Sequence, residues 1–201
     1  MDSMPDSSRD PRLRPVLSEL RAARASLEAM AASDSLESVE DHWRAFLSTL
    51  EKVWAKLDLL GGSLGGGYPG WRSKYSRLRK TDPLLCYLHH ARNADTHTLQ
   101  STTKVEPGSM RIIGGPGGWE MTSMALLATG ELLTEGKGDL RIEFHPSTLR
   151  GKPVLDRQVR YDPPSEHLGQ PLTSLDPMTM ADAGLRFYAE VTESFERHFL
   201  T

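Results

Sequence analysis

The chain has 201 residues, of which 38% are hydrophobic and 25% charged, and its net charge is −3. That length and balance suit one domain with a sizeable core, or one domain carrying an insertion, and exclude wholesale disorder. The chain is no polycation, so any contact with nucleic acid falls to a local basic patch. Cys86 is the single cysteine. An intramolecular disulfide and a cysteine-built zinc cage are therefore both out of reach, which suits a reducing compartment. No apolar run nears the roughly 20 residues that span a bilayer. Residues 1–10 are polar and acidic and lack the apolar stretch of a secretory signal. The expectation is a cytoplasmic protein with no membrane partner.

Residues 1–10 read as a disordered tail. Across residues 11–32, Leu13, Val16, Leu17, Leu20, Ala23, Leu27 and Met30 recur at threes and fours, the period of an amphipathic helix. Ser33-Asp34-Ser35 breaks that pattern and supplies cap side chains for a second helix. Val39, Trp43, Phe46, Leu47, Leu50, Val53, Trp54, Leu57 and Leu60 form its apolar stripe, which is expected to stop at Gly61-Gly62. Residues 61–70 read as a glycine-rich loop. The next ten residues carry Arg72, Lys74, Arg77, Arg79 and Lys80 with no acidic residue among them.

Asp82-Pro83 is a helix start, with aspartate as the cap and proline where its missing N–H costs nothing. The third helix runs from Pro83 to around His97. Residues 99–171 change texture to short alternating runs punctuated by glycine and proline, the pattern of strands and turns in a small sheet or hairpin. Asp176-Pro177 repeats the helix-start signal. Met178, Ala181, Leu185, Tyr188, Val191, Phe195 and Phe199 then mark a last amphipathic helix. The expected fold is mainly α: an up-and-down four-helix bundle from residues 11–98 and 172–201, with a β-rich insertion of residues 99–171 between its third and fourth helices.

The third helix carries Arg92-Asn93-Ala94-Asp95-Thr96-His97, an arginine, a polar residue, three residues and a histidine. Placed at the end of a helix in such a bundle, this string resembles the motif of the HEPN superfamily. The resemblance covers the four helices, and the β insertion lies outside it. It implies a metal-independent endoribonuclease without cofactor, in which His97 is the general acid/base, Arg92 clamps phosphate and Asn93 orients. It further implies a homodimer, so that two copies of the motif line one cleft. Toxins and defence effectors of microbes belong to this group, and an antitoxin or regulatory protein is then a further partner.

The residue types suit that chemistry. Cleaving RNA without a metal needs a base for the ribose 2′-OH, an acid for the leaving 5′-oxygen and a cation for the charge on phosphorus. Histidine titrates near neutral pH, and arginine stays charged and grips phosphate through paired N–H bonds. At about 100° per residue, Arg92 and His97 stand about 140° apart on a straight helix. They share a face only if the helix ends or distorts, or if a second subunit supplies the missing group.

The basic run Arg72, Lys74, Arg77, Arg79 and Lys80 is the candidate RNA-binding surface, with Trp71 and Tyr75 beside it to stack on bases. His89 shares the Arg92 face at a spacing of three and is a further candidate RNA-binding residue. His89, His90, Asp95 and His97 lack the spacing of a metal site, so no metal is expected. The glycine loops lack the Lys-Ser/Thr of a phosphate-binding loop, and no serine sits in a Gly-x-Ser-x-Gly setting. The alternative reading is a non-catalytic HEPN-like module that binds nucleic acid, nucleotide or protein. In that reading Arg92 pairs with Asp95 or another acid, and His97 caps the helix end.

Overall fold

The computed structural model describes residues 9–97, 100–126 and 132–201, apart from the side chains of residues 115, 116, 119, 124–126, 132–134, 139 and 140. The expected tail therefore lies, through residue 8, outside the described residues, as do residues 98, 99 and 127–131 of the expected insertion. The fold is mainly helical with an antiparallel, strand-rich segment between residues 103 and 171. Among the described residues five α-helices form where four were expected. They are α1 (Arg14–Ala31, led by a 3₁₀ turn at Pro11–Leu13), α2 (Leu36–Leu64), α3 (Tyr68–Thr81), α4 (Pro83–His97) and α5 (Pro177–Phe199). Among the described residues no helix is long and apolar enough to cross a membrane.

The added helix is α3, and three glycines explain it. Gly61 does not end α2. It lies inside the helix, where a Cβ would collide with the Tyr68 ring. The left-handed turn falls instead at Gly65 and Gly66, with φ of 67° and 58°. The chain then re-enters a helix at Tyr68, with Pro69 in its first turn. The other starts follow side-chain caps: Ser35 accepts from Ser38 N (3.1 Å), Asp82 from Leu85 N (3.0 Å) and Asp176 from Thr179 N (2.8 Å).

α2 packs on α1, α4 and α5, and α3 lies against α2 and α4. Trp43, Phe46, Leu57, Leu84, Leu85, Met180 and Phe195 are fully buried among them. Each such side chain contributes about 1.5–3 kcal/mol of transfer free energy. Gly184 lets α5 approach α4, since a Cβ there would sit 2.7 Å from Leu88 Cδ1.

The strands belong to two compact units. Glu106–Thr148 forms one, and the remainder of the chain the other. In the smaller unit β2 (Ser109–Leu126) and β3 (Leu132–His145) make a long antiparallel ribbon, in register from Ser109↔His145 to Leu126↔Leu132 with two bulges. The rest of the strand-rich segment packs with the helices. There β1 (Thr103–Glu106) pairs with β4 (Thr148–Gly151), β5 (Val154–Asp156) with β6 (Val159–Tyr161), and β7 (Glu166–His167) with β8 (Gln170–Pro171). Residues 149–171 thus join the helical unit. Val154 is fully buried in the core, and Tyr87 of α4 donates to Lys152 O at 2.8 Å. Both β5 and β7 lie against α4, which brings distant polar residues onto the motif helix.

Candidate functional site

α4 continues without a break to His97, so Arg92 and His97 do leave it about 140° apart. Asn93 reduces that separation. It stands about 40° from His97 around the axis, and its Oδ1 accepts from Arg92 Nη1 at 3.2 Å. The guanidinium is thereby drawn toward the His97 side. His89, His90, Asn93 and His97 all fall within about 100° of arc, so α4 presents one polar face carrying three histidines and an amide.

Hydrogen-bond bookkeeping fixes the proton positions on that face. Asn93 Nδ2 donates to Asp156 Oδ2 at 2.9 Å and lies 3.4 Å from His89 Nε2. With Arg92 on the amide oxygen, all three contacts agree on one orientation of the Asn93 side chain. His89 Nδ1 meets Glu51 Oε2 at 3.2 Å, and His90 Nδ1 meets Asp156 Oδ2 at 2.7 Å. An ionised carboxylate accepts and cannot donate, so each ring carries its proton on Nδ1. In the neutral rings Nε2 then keeps its lone pair. His89 turns that nitrogen to the Asn93 amide. His90 Nε2 has no partner among the described residues, and its ring stacks on Tyr161 with centroids 3.5 Å apart and planes 11° from parallel.

The carboxylates are held ionised. Burial opposes the charge on Glu51, but His89 and Arg79 outweigh it and bring the carboxyl down to about 2. Hydrogen bonds from His90 and Asn93 hold Asp156 below the usual carboxylate range. Asp156 immediately precedes a two-residue turn in which Arg157 and Gln158 have φ of 50° and 68°. Such a turn ordinarily takes Asn-Gly, and a side chain in that region costs roughly 1–2 kcal/mol per residue. The strained positions adjoin the carboxylate that holds His90 and Asn93.

His97 is exposed at the helix end, and among the described residues it has no hydrogen-bond or ion-pair partner. Arg92 does not pair with Asp95. Arg44 takes that acid instead, with its Nε 3.2 Å from Asp95 Oδ1 but outside hydrogen-bonding geometry. Burial pushes the Asp95 carboxyl up despite Arg44. Arg92 Nε is buried and also lacks a hydrogen-bond partner among the described residues.

The basic run separates into three kinds of residue. Arg79 is drawn inward: Nη2 donates to Glu51 Oε2 (2.6 Å), Nε to Tyr188 OH (2.8 Å), and the guanidinium lies 4.7 Å from the Trp54 ring centroid. Arg72 is exposed but bound to Asp58, with Nη2 to Oδ2 at 3.0 Å. Lys74, Arg77 and Lys80 are exposed, and Lys74 lies over the Tyr75 ring. Trp71 is 8% exposed and enclosed by Trp54, Tyr68, Tyr75 and Phe195, so it serves the core and cannot stack on a base. Helical spacing accounts for this division, because α3 turns Trp71, Tyr75 and Arg79 inward at intervals of four.

An open groove of about 500 Å³ follows the outer face of α3, lined by Pro69, Arg72, Ser73, Ser76, Arg77, Lys80 and Thr81. Among the described residues no three His, Cys, Asp or Glu side chains gather as a metal site. Glu51 and Asp156 lie 38 and 63–66 residues from their α4 partners. No local spacing announces either pairing, and sequence reasoning missed both. No protein-family model, curated protein or solved structure matches this chain.

Proposed function

We propose that the chain is a metal-independent endoribonuclease of HEPN type that works as a homodimer. The observation that carries this reading is the Asn93 amide, which ties the Arg92 guanidinium to the histidine-bearing face of α4. His97 is the free acid/base at the end of that face, Arg92 the phosphate clamp, and Asn93 the residue that orients the clamp. An unsatisfied buried donor costs about 1–3 kcal/mol, and Arg92 Nε carries that cost at the motif itself. Strain of this kind is found where a position is kept for a purpose other than stability.

The outer face of α3 suits an RNA backbone. Its groove carries Arg77, Lys80 and three hydroxyl side chains, with Arg72 beside them already bound to Asp58, which matches phosphate and sugar without reading sequence. In this reading the helical unit is an HEPN-like four-helix bundle with α3 added on its flank. The dimer brings two Arg92/His97 sets to one cleft. A cytoplasmic toxin or defence effector, restrained by an antitoxin or regulatory protein, is the role that fits.

A second reading, a non-catalytic module for nucleic acid, nucleotide or protein, draws on another feature. An open cavity of about 670 Å³ is lined by Leu64, Gly65–Gly67, Trp71, Lys74, Tyr75, Ser194, His198 and Phe199, away from the motif residues in sequence and lining.

The test is cleavage of varied RNAs by wild-type protein and His97→Ala, in EDTA, with the product ends identified. The expected result is cleavage by the wild type alone, leaving 2′,3′-cyclic phosphate ends. A folded wild-type dimer that cuts no RNA would shift the assignment to the binding module.

A further inference from the structure

The reaction proposed above needs two proton-transfer groups; each Arg92-to-His97 string brings one histidine to the cleft, and the same face of α4 carries two more. Of the other two histidines on the same face, His89 is engaged at both ring nitrogens, by Glu51 and Asn93. His90 differs. Asp156 takes its Nδ1–H at 2.7 Å, Tyr161 holds the ring plane, and Nε2 keeps its lone pair without a partner among the described residues. A ring whose tautomer and orientation are set by a carboxylate, with the opposite nitrogen open, is the arrangement of a general base. The side chain is 21% exposed and Asp156 11% exposed, so the dyad is sheltered but reachable.

We propose that His90, oriented by Asp156 and Tyr161, is a catalytic residue: the general base that takes the 2′-OH proton. This rests on the ribonuclease reading and completes it. His90 and His97 are seven positions apart, which sets them about 20° apart in azimuth and about 10.5 Å apart along the axis. Asn93 and the guanidinium drawn to it lie between them. In the step, the 2′-OH proton passes to His90 Nε2 while the 2′-oxygen bonds to phosphorus. The bond from phosphorus to the 5′-oxygen breaks, and that oxygen takes a proton from His97. The products are a 2′,3′-cyclic phosphate and a 5′-hydroxyl, with no oxidant, metal or co-reactant consumed. Asp156 is a positioning residue, and the strained turn at Arg157 and Gln158 sets its place.

The experiment compares an ordinary RNA with one whose scissile 5′-oxygen is replaced by sulfur, a leaving group that needs no acid. Wild type, His97→Ala, His90→Asn and Asp156→Asn are assayed on both substrates as full-length protein, with thermal melting as the check on folding. His90→Asn keeps a donor toward Asp156 but cannot take the proton. The expected result is a loss of at least about 100-fold for His90→Asn on both substrates. His97→Ala regains activity near wild type on the sulfur substrate, and Asp156→Asn loses roughly tenfold on both. If His90→Asn fails to fold, Asp156→Asn decides by the same criterion.

Wild-type cleavage with His90→Asn or Asp156→Asn at the wild-type rate overturns the role of His90 and leaves the ribonuclease standing. Rescue of His90→Asn by the sulfur substrate also overturns it, since that outcome marks an acid. A wild type inactive on both substrates removes the ribonuclease reading and this role with it.

Discussion

Two short hairpins lean on α4, and each delivers one half of a carboxylate–histidine pair. At the start of the helix, His167 of β7 meets Asp82 at 2.9 Å, and Leu168 N donates to the same carboxylate at 2.6 Å. Asp82 also caps Leu85 N, its side chain is 3% exposed, and the His167 side chain is 14% exposed. Midway along the helix, Asp156 of β5 meets His90 and Asn93. Both hairpins turn through two residues of positive φ, Leu168-Gly169 in one and Arg157-Gln158 in the other. The first turn includes a glycine, as its geometry asks, and the second has none. The first pair is closed, with three donors converging on one buried acid. The second has two donors on a less buried acid, Asp156 at 11% exposed, and is built on a turn that costs stability; in both pairs the ring Nε2 has no hydrogen-bond partner among the described residues. Geometry of one kind thus fastens the helix at one point and holds the motif face at another, and what separates the two is the burial of the acid, the number of donors it takes and the strain of the turn beside it.

The closed pair is broken most visibly by Asp82→Ala. Losing the cap and leaving His167 and the Leu168 N–H without their acceptor should together cost about 2–4 kcal/mol, read as a lower midpoint in urea at unchanged slope. Asp156→Ala should cost less, because the Asp156 side chain is 11% exposed where that of Asp82 is 3%, and it takes two donors where Asp82 takes three. A larger loss from Asp156→Ala would erase the distinction.

Acid acts on the same carboxylates. Glu51, which closes off His89, has its carboxyl lowered from 4.5 to about 2 in the folded chain. A group whose folded value is depressed stabilises the fold above its unfolded value and loses that contribution as pH falls. The wild type should therefore lose stability between about pH 4.5 and pH 2, and Glu51→Gln should lose less across that window. Asp82 acts in the same direction, since His167 and two backbone N–H groups outweigh burial and hold its carboxyl low. Parallel acid profiles for wild type and Glu51→Gln would show that Glu51 is no more stabilised in the folded chain than in the unfolded one.

The smallest effect lies in the open hairpin. Gln158→Gly relieves one positive-φ side chain and should raise stability by about 0.5–1 kcal/mol, or a few degrees of melting temperature. Gly169→Ala, in the turn that already has its glycine, should act in the opposite sense.

Much of the helical frame was legible locally. The apolar stripes of α1, α2 and α5, and the Asp-Pro starts of α4 and α5, state their period and their caps within a few residues. α3 was not, because Tyr68-Pro69-Gly70 looks like a turn and its inward residues Trp71, Tyr75 and Arg79 are masked by the charges between them. The helix becomes evident only when Gly61 is seen to admit the Tyr68 ring. The site divides in the same way. Arg92, Asn93, His97 and His89 stand out by spacing on one helix. Glu51 reaches His89, Asp156 reaches Asn93 and His90, and Tyr161 reaches His90 through tertiary contact, and their local sequence carries no sign of a partner far away in the chain. Arg79 shows the reverse: a residue that reads as surface charge is spent on a buried cluster with Glu51 and Tyr188.

The most direct test sets Asp82→Asn beside Asp156→Asn and measures melting temperature and RNA cleavage per folded molecule for each. A double dissociation is expected. Asp82→Asn lowers the melting temperature and leaves cleavage near wild type, whereas Asp156→Asn melts near wild type and cleaves roughly tenfold more slowly. Cleavage that falls in both variants only as far as the folded fraction falls would contradict it, leaving the two pairs as fastenings of the same kind.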